Sequence, residues 1–168
     1  MDKIKKDDVI FIKRTQMALS QHGRRLKKGE ISYDRTLFIN ACVGLLLVPS
    51  ATIYDKLPNS SINEWGISAE KISMKESDGN ELDELKTVQE VVRHLRNAIA
   101  HNRFEFKCED DGKSVPIDDI NFIDISHKHI KKIKRKKVVA EFEVKLTYEE
   151  FKAFIEKVAN HAVRCIDR

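Results

Sequence analysis

The chain has 168 residues, 41% hydrophobic and 35% charged, with a formal net charge of +4. That length suits one domain able to bury a sizeable core, and the composition reads as a soluble globular protein and argues against disorder throughout. Seven positive charges sit on Lys128, Lys131, Lys132, Lys134, Arg135, Lys136 and Lys137, which leaves −3 for the rest, so the basicity is local.

The longest apolar run, Leu37 to Val48, is broken by Asn40 and Gly44 and falls short of the ~20 apolar residues that span a bilayer. Met1 to Asp8 are mixed in charge and carry no apolar export segment. Cys42, Cys108 and Cys165 are odd in number and form no CxxC, the pattern of reduced thiols. The expectation is a cytoplasmic protein with no membrane partner.

Asp7 to Arg25 predict a first helix with Val9, Ile12, Gln16 and Leu19 on one side and Gly23 as its terminator, followed by a basic loop from Arg24 to Gly29. Asp34 is a candidate cap for a second helix starting near Arg35. Its Leu37 to Val48 run is apolar on nearly all faces and so belongs in the core or in a subunit interface, with Pro49 predicting a kink or break. Residues 58–80 are polar and irregular and predict an ordered loop pinned by Trp65 and Ile67. A third helix is expected from Leu82 or Thr87 to His101. Val88, Val91, Val92, Leu95 and Ile99 fall in one stripe roughly 100° wide, and Asn102 suits the left-handed turn that ends helices.

Beyond it, Arg103 to Cys108, Ile117 to Ile125 and Val138 to Leu146 alternate as strands, with a turn at Glu109 to Lys113. Thr147 with Glu150 reads as a capping box. Phe151, Phe154, Ile155, Val158, Ala162 and Cys165 give the last helix an apolar stripe. The expected fold class is mainly α: a helical bundle in one domain over 1–168, with a small antiparallel sheet inserted before the C-terminal helix as a hairpin or meander over 102–146.

The third helix ends in Arg96-Asn97-Ala98-Ile99-Ala100-His101. An Arg and a His at such spacing arise by chance about once in a chain of this composition, so the context carries the weight. At about 100° per residue Asn97 points away from the apolar stripe, while Arg96 and His101 flank it roughly 140° apart. Arg93 and His94, one turn earlier, extend the polar face.

With the first helix, the Thr36 to Val48 helix, this motif, the Phe104-Glu105-Phe106 strand and the closing helix, the chain resembles the HEPN superfamily. These are helical nucleotide- and RNA-binding domains whose motif is Arg, a polar residue, three to five more, then His. It is similar to single-domain bacterial members with toxin or phage-defence roles. The resemblance implies a metal-independent endoribonuclease acting as a homodimer on RNA. Its two motif helices would face each other across a two-fold axis, with Asn97 at the seam, because an isologous interface duplicates every residue and lets splayed groups converge.

The implied chemistry is attack by an RNA 2′-hydroxyl on its own phosphate. His101 would move protons, Arg96 would fork onto phosphate oxygens, and Asn97 would orient His101 or the phosphate. Arg93, His94, Arg103, Lys132, Lys134 and Arg135 are candidate substrate-binding residues. Some relatives carry a tyrosine two residues after the motif His that a partner antitoxin modifies. Arg103 stands there in this chain, so that route is not expected, and any antitoxin or partner protein is unidentified by the sequence.

No cofactor or metal is expected. His127, His129 and Cys108 match no ligand pattern, and the chain has no P-loop, G-x-G-x-x-G or G-x-S-x-G motif. The competing function is a non-catalytic HEPN dimer that binds RNA, a nucleotide or a protein partner. The corresponding bland roles are a surface Arg96, a helix-ending His101 at a structural contact, a solvated lysine-rich hairpin tip, and Trp65 as a loop anchor.

Overall fold

The structure, a computed structural model, describes residues 6–26, 34–47, 56–108, 117–125 and 141–165. Among these residues four α-helices and four strands follow one another along the chain: α1 (Lys6–Leu26), α2 (Asp34–Leu47), β1 (Ile72–Lys75), α3 (Val88–Ala100), β2 (Phe104–Cys108), β3 (Ile117–Ile125), β4 (Glu141–Thr147) and α4 (Tyr148–Arg164). Gly23 lies inside α1 and does not terminate it. The predicted turn at 109–113, Pro49 and the basic residues 128–137 lie outside the described residues.

The strands form one antiparallel sheet in the order β1-β4-β3-β2. This corrects the mainly α expectation: the fold is mixed α and β, and the sheet is not simply an insertion before the last helix. Its β1 comes from the 58–80 segment that the sequence presents as a loop. There Ile72 and Met74 turn inward while Ser73 and Lys75 are only half-buried, a pattern four residues long and too short to signal a strand alone. The strand exists because β4 supplies its partners, Val144 opposite Ile72 and Phe142 opposite Met74.

Alternation along β4 sets the layers. Phe142, Val144 and Leu146 are buried on one face, while Glu141, Glu143 and Lys145 are exposed on the other. Ile120 and Phe122 of β3 share the inner face, which packs under α3 and α4, and α1 and α2 pack in turn on that helical layer. Phe122 meets Phe151 of α4 with ring centroids 5.1 Å apart. All five stripe residues of α3 are buried in this core.

The starts of α4 and α3 are both tied down locally. The expected capping box forms, with Glu150 N–H donating to Thr147 Oγ1 at 3.2 Å and Thr147 N–H to Glu150 Oε2 at 2.9 Å. Burial would raise the Glu150 carboxyl's pKa, but the bonds from Lys71 and Thr147 outweigh it and hold it below the usual range. At the other end of the core, a single-turn helix at Ile62–Trp65 is stitched to the start of α3 by Ile62 N–H to the Lys86 carbonyl and Val88 N–H to the Ser60 carbonyl. Ile67 is fully buried, and the Trp65 Nε1–H donates to Ser60 Oγ at 3.2 Å, so both anchor this segment.

Candidate functional site at the C-terminal end of the third helix

Helix α3 begins at Thr87, whose Oγ1 accepts from the Glu90 N–H at 3.4 Å. It ends in a reversal that the sequence dictates. Asn102 adopts φ +54°, a left-handed conformation that asparagine tolerates better than most residues. Its N–H then donates to the Ile99 carbonyl at 3.0 Å and the Arg103 N–H to the Ala98 carbonyl at 2.7 Å, the paired bonds of a Schellman turn. His101 caps the helix with an exposed side chain. The Arg103 carbonyl accepts from Ile123 N–H at 3.0 Å, which launches β2 alongside β3.

Asp124, an acid on the inner face of β3, organises the polar side of this helix end. Its Oδ2 accepts from His94 Nδ1 at 2.8 Å and from Asn97 Nδ2 at 3.1 Å. His94 and Asn97 are three residues apart and so share a helix face. The Arg103 Nη1 donates to the Ile125 carbonyl at 2.8 Å and lies 3.8 Å from Asp124 Oδ1. The His94 ring stacks on Phe142 of β4 at 4.9 Å and 13°, and Phe142 is the strand partner of Asp124. Arg93 forms an ion pair with Glu90 and points an Nη toward His94 Nε2 at 2.9 Å. Since a guanidinium only donates, Nε2 accepts and the ring proton sits on Nδ1, facing Asp124.

Burial by itself would raise the Asp124 pKa, but the bonds from His94 and Asn97 and the nearby Arg103 charge outweigh it and hold the carboxyl below its ordinary 3.8. With the folded value below the unfolded one, near about 3.9, the resulting stability is complete above that pH. It is lost as pH falls through the folded value. Asp124→Asn is therefore expected to flatten the acid limb of the stability curve. Urea midpoints of parent and variant followed from neutrality down through this window test it; parallel curves would refute it.

The structure thus gathers His94, Asn97 and Arg103 around one carboxylate. His94 is 3% exposed, which corrects its expected place on the polar, substrate-facing side of the helix. Asn97 is half-buried against its own sheet. Arg96 turns to the opposite flank, where its Nε donates to the Leu46 carbonyl at 2.8 Å, in the last turn of α2. His101 and Arg93 are exposed. Lys132, Lys134 and Arg135 lie outside the described residues. Asp124 had one legible signal: it shares the parity of Ile120 and Phe122 and so puts an acid on an apolar face.

Elsewhere, Cys42 is fully buried, and burial, with Glu156 adding to it, pushes its thiol pKa far up. Among the described residues no helix is long and apolar enough to cross a membrane. The family model described as HEPN pEK499 p136 matches residues 1–166. No curated protein and no solved structure matches the chain.

Proposed function

Because the chain belongs to the HEPN pEK499 p136 family, for which a nuclease or RNA-related role is indicated, we propose that it is a homodimeric, metal-independent endoribonuclease acting in a toxin or phage-defence role. The observation that carries this reading is the end of α3: the motif His101 stands exposed on a Schellman turn, at the end of a helix whose Arg93 is exposed and two residues before Arg103, which is held to the Ile125 carbonyl. The turn fixes the backbone from which the imidazole projects, a start toward the positioning that proton transfer requires.

In the proposed step the 2′-hydroxyl oxygen bonds to the adjacent phosphorus as its proton passes to a base. The 5′-oxygen leaves with a proton from an acid, giving a 2′,3′-cyclic phosphate and a 5′-hydroxyl end. His101 from the two protomers supplies base and acid, and arginine charge stabilises the phosphorane. Two copies are needed because a single His101 side chain cannot hold both roles at once, and a two-fold axis brings the second.

One observation favours the non-catalytic alternative. Arg96 spends its Nε on a carbonyl of α2, which is the behaviour of a structural arginine. RNA bearing a single 2′-deoxy nucleotide at the cut separates the two readings. The endoribonuclease loses cleavage of that RNA while still binding it, and cuts the all-ribose strand in the presence of chelator. Cutting of the deoxy strand at the ribose rate, abolition by chelator, or a protein monomeric at assay concentration would each reject the proposal.

A further inference from the structure

We propose that Asp124 is a positioning residue of this site: it fixes the Asn97 side-chain amide so that the amide oxygen, an acceptor, is presented at the motif surface. The inference rests on the endoribonuclease reading and deepens it. Asp124 lies on β3, far from the motif in sequence, and is 8% exposed. The side chains that face its two oxygens, His94, Asn97 and Arg103, all belong to the short segment that carries the motif. A buried carboxylate is a poor way to stabilise a fold, since a well-packed apolar side chain often does as well or better. Its presence among Ile120, Phe122 and Phe142 is explained by what it does to its donors.

An ionised carboxylate only accepts. Asn97 must therefore direct Nδ2 inward, at 3.1 Å, and its Oδ1, on the other side of the amide, is turned away from Asp124. Without that anchor the amide could flip and offer an N–H instead. An outward acceptor suits the proton-bearing groups of this reaction, either an imidazole N–H of His101 or the attacking 2′-hydroxyl. It does not suit phosphate oxygens. His94 supports the arrangement by saturating the same Oδ2 and by filling the space over Phe142.

The test is a double-mutant cycle. Asp124→Leu keeps the bulk but offers no acceptor, which frees the amide to flip, and is expected to lower kcat about tenfold or more with KM within about twofold, the sign of an interaction used in the transition state. Asn97→Ala removes the amide itself and is expected to cost at least as much. The double variant N97A/D124L has no amide for position 124 to orient. It is expected to cut within about twofold of Asn97→Ala alone, a non-additivity that a merely structural role does not produce.

A folded Asp124→Leu protein that cuts like the parent while His101→Ala is dead overturns the inference and leaves the endoribonuclease reading standing. So does a folded double variant that falls as far below Asn97→Ala as Asp124→Leu falls below the parent. If His101→Ala cuts like the parent, the endoribonuclease reading falls. The amide's orientation is then judged by nuclear magnetic resonance of the Asn97 side-chain NH2 in the parent protein. One proton protected from exchange and shifted downfield upholds the orientation; two fast-exchanging protons at the shifts of a free amide overturn it. The same spectrum decides the matter if the Asp124 variant fails to fold.

Discussion

His101→Ala is expected to slow RNA cleavage by about 10²- to 10⁴-fold, the range over which a positioned general acid or base contributes, while the thermal midpoint stays unchanged. The stability half of the expectation follows from exposure. The side chain extends from the helix cap into solvent, and the turn that follows is held by backbone bonds from Asn102 and Arg103 that alanine at 101 does not touch. The activity half follows from the imidazole ring, whose nitrogens can take a proton as base in one protomer and give one as acid in the other. Single-turnover cleavage of a labelled RNA with both proteins, beside a thermal melt, checks it. Induction in cells gives an independent readout: growth arrest by the parent, none by the variant. Cleavage within about twofold of the parent would remove His101 from the mechanism. Arg96 is a less clean probe, because its bond to the Leu46 carbonyl mixes stability with activity in any substitution.

Phe142→Ala is expected to be among the most costly single changes to the fold, at about 3–5 kcal/mol, the range for emptying a buried aromatic site. Phe142 is fully buried, pairs with Met74 on one neighbouring strand and Asp124 on the other, and carries the His94 ring on its face. Its loss opens a void where β1, β3 and α3 meet. For a chain of this size each kcal/mol lowers the melting temperature by about 2–4 °C, so a drop of roughly 6–20 °C is expected. Calorimetry or urea unfolding measures it, and a loss under about 1 kcal/mol would mean that the ring is not packed as described. Phe142→Leu keeps most of the volume but not the stack. It is expected to cost less stability while still loosening His94 against Asp124.

Much of the helical frame follows from local periodicity. The α3 stripe, the Asn102 stop and the Thr147–Glu150 capping box all form as the residues imply, because each depends on groups within about one or two helical turns of one another. The mixed fold class is not legible at β1, because four residues, Ile72-Ser73-Met74-Lys75, are too short a pattern to signal a strand until β4 pairs with them. The same distinction governs the site. His94 lies about a turn from Asn97 and, on a helical wheel, beyond the edge of the apolar stripe. Nothing local says that β3 covers that flank.

By itself the sequence determined the identity of the motif, Arg96, Asn97 and His101, and the helix that carries it, since helical spacing and termination are set by neighbours a few residues away. Only the tertiary structure decided what those residues face. A hydrogen-bond partner such as Asp124, or a carbonyl such as that of Leu46, is chosen by packing between elements distant in the chain. That choice turns His94 from a surface group into a buried one, sends Arg96 to α2, and gives Asn97 a fixed orientation.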